Sequence, residues 1–233
     1  MAFHFRHFTV IDHRSTLRVG TDAMLLGSWA NPGEATRLLD IGTGCGVLAL
    51  MMAQKCNGQI DAVEIDHASA EQAKLNFTNS PWHDRLRAYH QSIQDFVVIR
   101  QQVYDFIISN PPYFQNSLKS TLERRNIAKH DTSLTLNELL KISVSILKPG
   151  GILAIIIPVE ISEQLIKECL TYGLHTKRAL RIIPKAGVAP IRDLLELVKG
   201  PASLLESGEL TIRDQTGMYS DEYLSLTGSY HNF

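Results

Sequence analysis

The chain is poor in cysteine. Its 233 residues carry three thiols, Cys45, Cys56 and Cys169, and no two are spaced as a CxxC pair. That spacing suggests neither a zinc site nor a disulfide framework, and it suits a reducing cytoplasm. No apolar run approaches the length needed to span a bilayer. The opening Met1-Ala2-Phe3-His4-Phe5-Arg6 lacks the long apolar core of a signal peptide. Internal repeats and low-complexity stretches are also missing, and no linker is long enough to separate one domain from another. A single domain is therefore expected over 1–233. Neither sign of charge dominates: the formal net charge is −1.

That near-neutrality hides an uneven distribution. From Pro201 onward the acids are Glu206, Glu209, Asp214, Asp221 and Glu222, against the single base Arg213, so residues 201–233 read as an acidic tail. Residues 1–200 hold 22 bases and 19 acids. One basic group is Arg6, Arg14 and Arg18, with His4, His7 and His13 among them. A second is Lys119, Arg124, Arg125, Lys129 and His130; a third is Lys177, Arg178, Arg181 and Lys185. The third reads as ordinary solvated surface, whereas the second suits contact with phosphate.

Four consecutive residues, Asn110-Pro111-Pro112-Tyr113, follow an apolar run, Tyr104 to Ser109, that reads as a buried strand. Each proline fixes its own φ and restricts the residue before it, so the strand ends in a rigid tip. Carbonyl acceptors held at fixed angles beside an aromatic ring are equipment for gripping a flat –NH2 group.

Upstream, Leu38-Leu39-Asp40-Ile41-Gly42-Thr43-Gly44-Cys45-Gly46 leads from apolar residues through a glycine-rich turn into a helix-compatible stretch. Strand, glycine loop and helix open a nucleotide-binding βαβ unit. The spacing is neither G-x-G-x-x-G nor a P-loop, and no lysine is present to neutralise phosphate. Asp40 would repel a pyrophosphate. A cofactor with an ammonium and no phosphate, such as S-adenosylmethionine, fits better. Cys45 reads as a small residue in a tight turn rather than as a nucleophile.

A second strand, Ile60 to Ile65, ends in acid. Glu64 lies about 20 residues past the glycine loop, where a carboxylate meets ribose hydroxyls. Asp66 would then cap the next helix.

In order, Asp-Ile-Gly-Thr-Gly-Cys-Gly, Val-Glu-Ile-Asp and Ile-Ile-Ser-Asn-Pro-Pro-Tyr resemble the class I S-adenosylmethionine-dependent methyltransferases that modify amino nitrogen. The segments Phe5 to Val10, Leu17 to Ala30, Tyr113-Phe114-Gln115-Asn116 and Arg125 to His130 resemble the bacterial tRNA1(Val) adenine-N6 methyltransferases. The resemblance covers roughly the whole chain. It implies a Rossmann-like class I α/β fold: a seven-stranded, mostly parallel sheet with an antiparallel edge hairpin. Residues 1–35 would lie over the active site.

The same resemblance implies N6-methylation of an anticodon-loop adenine, with S-adenosyl-L-methionine converted to S-adenosyl-L-homocysteine. Catalysis would rest on Asn110, Pro111 and Tyr113; substrate would meet Phe114, Arg125, Lys129 and His130. Thr21, Asp22, Asp40, Gly42, Gly44, Gly46, Glu64 and Asn110 would hold the cofactor, with Ser92 or Asp95 at its adenine. Thr21 and Asp22 read equally as a helix N-cap pair. At Ser92 this family usually has an acid, and the ending Tyr230-His231-Asn232-Phe233 also departs from its aromatic-rich form. The expected partner is a valine tRNA, with no membrane and no metal, and the protein is expected to be a monomer.

Asn-Pro-Pro-Tyr also serves enzymes that methylate glutamine amides, but those usually carry an N-terminal helical domain, and only about 35 residues precede the first strand here. DNA adenine methylation would call for a target-recognition domain after the catalytic one. A cofactor-free RNA-binding module is the reading from another class, and intact Gly42, Glu64 and Asn110 oppose it.

Strands are expected at 38–41, 60–65, 87–90, 104–109, 152–157, 174–183 and 193–199. Helices are expected around 46–55, 67–78, 134–147 and 160–172. Ligands in such sheets bind beyond the strands' carboxyl ends, where strand order reverses. Glycine loop, Glu64 and Asn110 all fall at such ends.

Overall fold

The structure is a computed structural model that describes residues 2–15, 18–111, 134–201 and 204–230. A short ribbon, β1 (Ala2–His4) paired antiparallel with β2 (Thr9–Ile11), precedes α1 (Thr21–Trp29). Then come β3 (Arg37–Ile41), α2 (Val47–Lys55), β4 (Gln59–Glu64), α3 (His67–Thr78), β5 (Leu86–His90), α4 (Ile93–Arg100) and β6 (Tyr104–Ser109). The second half holds α5 (Leu136–Ile146), β7 (Leu147–Pro158), α6 (Val159–Thr171), β8 (Leu174–Lys185), β9 (Arg192–Lys199), β10 (Glu206–Arg213) and α7 (Asp221–Thr227).

Eight strands form one sheet in the order β10-β8-β9-β7-β6-β3-β4-β5. Only β9 runs against the others, pairing antiparallel with both β7 and β8. All seven expected strands are present within a residue or two, apart from a β7 that begins earlier. The structure adds β10 as an eighth, parallel to β8. Residues 201–233, read from the sequence as an acidic tail, thus contain a strand and a helix. Their acids sit mostly on exposed positions, and only Leu210 and Ile212 of β10 are buried.

Alternation along the strands sends side chains into two apolar layers. On one face Leu38, Phe106, Ile108, Ala154 and Ile156 pack with α1, α2, the ribbon and Tyr230. On the other, Leu39, Ile41, Ile107, Ile155 and Ile157 pack with α4, α5 and α6. Central strands buried on both faces explain the apolar runs that mark β3, β6 and β7 in the sequence, with Asp40 the buried exception in β3.

Local chemistry sets the element ends. Asp66 caps α3 by accepting from the Ser69 amide at 2.8 Å. Thr135 and Glu138 form a reciprocal capping box on α5. Lys148 to Gly151 lie in the register shift between β6 and β7: Tyr104 pairs with Leu147 and Phe106 with Ile152. Gly150, at φ 78°, makes the bend.

Candidate active site

Strand order reverses between β3 and β6. From β3 the chain builds outward through β4 and β5, then returns to lay β6 on the opposite side of β3. Ile41 pairs with Ser109 in register, and the next residues are Gly42 and Asn110. Parallel neighbours lie about 4.8 Å apart, so Asn110 leaves the sheet beside the glycine loop. Pro111 after it is buried and Asn110 half-buried.

The glycine loop is stitched to β4. The Gly42 and Thr43 amides both donate to the Val63 carbonyl, at 2.9 and 3.1 Å. Gly42, Gly44 and Gly46 all adopt positive φ, at 71°, 56° and 87°. A Cβ on Gly42 would meet nothing within 4 Å among the described residues, so the loop presents bare backbone to them there. At Gly46 the need for glycine is also one of packing, because a Cβ would lie 2.5 Å from the Phe77 ring.

Two carboxylates hold this loop, in different ways. Glu64, nearly buried, accepts the Gly44 amide on Oε2 at 2.8 Å and the Asp66 amide on Oε1 at 2.9 Å. A carboxylate offers about four lone-pair sites, so one on each oxygen stays open. Asp40 is wholly buried beneath the loop. Its Oδ2 accepts from the Thr43 hydroxyl at 2.5 Å and from the Ala49 amide at 3.1 Å. Its Oδ1 is buried without a partner among the described residues. Burial pushes the Asp40 carboxyl up to about 7. Asp40 therefore braces the turn from below, while Glu64 lies beside it at a strand end.

The other expected residues are placed as follows. Ser92 caps α4: its hydroxyl accepts the Asp95 amide at 3.0 Å and donates to the Asp95 carboxylate at 2.7 Å. The pair follows the end of β5, one strand beyond Glu64. Gly20 is the N-cap of α1, so Thr21 and Asp22 are its first two helical residues, not its cap. Asp22 accepts from Arg192 Nε at 2.9 Å, which ties α1 to the start of β9. Arg192 pairs in register with Pro158, at the carboxyl end of β7. Glycine loop, Glu64 and Asn110 thus stand on three adjacent strands, with Ser92–Asp95 on one flank and Thr21–Asp22 on the other. Tyr113, Phe114, Arg125, Lys129 and His130 lie outside the described residues.

Asn76 was not singled out in the sequence. Its amide nitrogen donates to the carbonyls of Ile11 and Cys45, both at 2.8 Å, and its oxygen accepts from the Ile11 amide at 3.0 Å. One buried side chain therefore joins the N-terminal ribbon to the glycine loop. A signal existed: Asn76 falls on the stripe of Ala70, Ala73 and Phe77 that α3 buries. Ser15 is a second such residue, its Oγ 3.5 Å from where a Cβ on Gly44 would stand.

The donor set suits S-adenosylmethionine. Among the described residues two acids hold the loop, its backbone is open at Gly42, and Glu64 keeps an acceptor on each oxygen. A pyrophosphate would meet like charge at Glu64.

Comparison with known proteins agrees. The methyltransferase small domain family matches residues 14–175. The tRNA1(Val) (adenine(37)-N6)-methyltransferase of Phocaeicola vulgatus is 41% identical over 229 residues, covering 98% of this chain and 97% of its own. The chain belongs to the tRNA1(Val) (adenine(37)-N6)-methyltransferase family.

Among solved structures, a predicted O-methyltransferase from Agrobacterium tumefaciens superposes with a TM-score of 0.67 at 18% identity, over 90% of this chain and 96% of that one. A Thermus thermophilus 16S rRNA N2 G1207 methyltransferase, solved with AdoMet and guanosine, gives 0.56 at 19% identity, over 85% of this chain and 50% of that one. These likenesses show the fold of the family. Among the described residues no helix is long and apolar enough to cross a membrane.

Proposed function

We propose that this protein transfers a methyl group from S-adenosylmethionine to N6 of adenine 37 in tRNA1(Val), as a cytoplasmic, monomeric single-domain enzyme. The observation that carries this reading is the register of β3 against β6, which sets Asn110 beside the glycine loop at the point where strand order reverses.

When bound, S-adenosylmethionine supplies an electrophilic sulfonium methyl. Glu64 would accept the ribose hydroxyls on its two open lone pairs. Gly42, Gly44 and Gly46 would admit the cofactor against backbone, with Asp40 bracing the turn. Ser92 or Asp95 would meet the adenine, and Thr21 with Asp22 the methionyl end.

An exocyclic adenine nitrogen is a weak nucleophile, because its lone pair is delocalised into the ring. The Asn110 side-chain oxygen and the Pro111 carbonyl would accept its two N–H groups and turn the lone pair toward the methyl. Tyr113 would stack on the base and Phe114 flank it, while Arg125, Lys129 and His130 contact the RNA. No strong base is needed before attack, since positive charge builds on nitrogen and the proton leaves afterwards. The gain is orientation and electrostatics. A loop base leaves its stack more readily than a paired one.

The test is incubation with labelled cofactor and total tRNA from a strain lacking the enzyme, followed by nucleoside analysis. N6-methyladenosine in one valine tRNA supports the proposal. Label entering protein glutamine and no RNA overturns it.

A further inference from the structure

The N-terminal ribbon carries cations that no carboxylate among the described residues neutralises. Phe5 and Phe8 stack at 4.3 Å between ring centroids and are buried, so the turn between them throws Arg6 and His7 outward. The Arg6 amide, donating to the Tyr230 carbonyl at 2.9 Å, fixes that turn to the body of the protein. Along the ribbon Phe3, Phe5, Phe8 and Val10 face inward, while His4 and Thr9 share the outer face, 3.2 Å apart between Nδ1 and Oγ1. Strand β2 then runs roughly 10 Å from the tip toward the glycine loop. Beyond it His13, Arg14 and Arg18 are exposed, and Ser15 between them reaches the glycine loop, its Oγ 3.5 Å from where a Cβ on Gly44 would stand.

Several cations elsewhere on the surface are already held by carboxylates. Among the described residues Arg178 pairs with Glu196, Arg181 with Asp193, Arg192 with Asp22 and Lys148 with Asp105. Arg6, Arg14 and Arg18 have no carboxylate partner among the described residues. The acid nearest in sequence, Asp12, is buried and its Oδ2 accepts the Val19 amide. The ribbon is also stiff with respect to the site, because Asn76 bonds both its Ile11 and Cys45 of the glycine loop.

We propose that the outer face of residues 4–15 together with Arg18, with Arg6, Arg14 and Arg18 as its charges, is a track for the RNA phosphate backbone that leads from the glycine loop across the ribbon. The proposal rests on the reading of the substrate as RNA. It assigns this ribbon affinity and placement and leaves base recognition to the cleft, as expected of phosphate contacts. A rigid track fixed to the cofactor loop would set the distance between a gripped stem and the methyl donor.

The experiment compares wild type with Arg6→Gln/Arg14→Gln/Arg18→Gln in binding full-length valine tRNA transcript across 50 to 300 mM salt, with turnover measured in parallel. As control, Lys74→Gln/Lys167→Gln removes two cations that already pair with Glu71 and Glu163. The triple variant is expected to flatten the plot of log affinity against log salt by about 2 to 3 units and to raise KM for tRNA about tenfold or more. Its kcat should stay within about twofold, its affinity for S-adenosylhomocysteine and its Tm should match wild type, and the control should keep the wild-type slope. A folded triple variant with wild-type slope and KM overturns the track; so does a control that flattens the slope as much. A wild-type protein that binds tRNA with this salt dependence but methylates none would sink the proposed reaction and leave the track standing.

Discussion

The Ser109 hydroxyl donates a 2.8 Å hydrogen bond to the carbonyl of Ile41. The two residues pair across adjacent parallel strands, and each immediately precedes a segment of the candidate site: Gly42 on one side, Asn110 on the other. The bond is buried and clamps the two strand ends together. Ser109→Ala is expected to cost about 1 to 2 kcal/mol, read as a Tm lower by roughly 2 to 8 °C in calorimetry. An unchanged Tm would show the clamp contributes nothing.

Asn110→Ala should abolish turnover, with kcat down by about a hundredfold or more. Affinity for S-adenosylhomocysteine should stay within a few-fold of wild type, since the proposed grip is on the target amine. Steady-state kinetics beside calorimetric titration separates the two; a variant that kept its rate would remove Asn110 from the reaction.

Glu64→Gln replaces one acceptor oxygen with an amide donor. Either the Gly44 or the Asp66 amide would then face another N–H, and one ribose hydroxyl would lose its carboxylate. Cofactor affinity is expected to fall by about 2 to 3 kcal/mol, or thirty- to two-hundredfold. Titration with S-adenosylhomocysteine measures it, and a Kd within threefold of wild type would refute the assignment.

Asp40 gives the fold a pH dependence of unusual sign for a carboxylate. Desolvation holds its folded pKa near 7, above the 3.8 of the free side chain. Between those values the folded protein keeps a proton that the unfolded chain has released. Stability contributed by this group is therefore full below about pH 4 and is lost as pH rises through 7, at a slope approaching about 1.4 kcal/mol per unit. Asp40→Asn keeps an acceptor for Thr43 and Ala49 and cannot ionise. Urea unfolding from pH 5 to 8 without cofactor should show a distinctly flatter decline for the variant; parallel curves would contradict the burial argument.

Gly46→Ala combines two penalties. An L-residue at φ 87° costs about 1 to 2 kcal/mol, and the new methyl would stand 2.5 Å from the Phe77 ring. A loss of about 2 to 4 kcal/mol is expected in chemical denaturation. Adding Phe77→Leu should restore part of it if the collision is real.

What the sequence disclosed followed from how each element is buried. Strands β3, β6 and β7 lie between two helical layers, so apolar residues dominate them on both faces. The glycine loop and Glu64 stood out because their spacing is fixed by the βαβ unit. Strand β10 escaped notice because it buries only Leu210 and Ile212 and opens with Glu206, Ser207, Gly208 and Glu209, all exposed. Helix α4 was hidden in a similar way: Val98 and Ile99, 70% and 64% exposed, blur the stripe formed by Ile93 and Phe96. Strands β1 and β2, three residues each, are too short to show a period. The bracing role of Asp40, the Arg192 tether on Asp22 and the Asn76 bridge depend on contacts between segments distant in the chain, which local spacing does not encode.

The Asn76 carboxamide has a practical corollary. Because it grips Ile11 and Cys45 together, a pull on the N-terminal ribbon would be felt at the glycine loop. A fusion partner or purification handle attached ahead of Ala2 would load the same tether, so kinetics are best gathered after its removal.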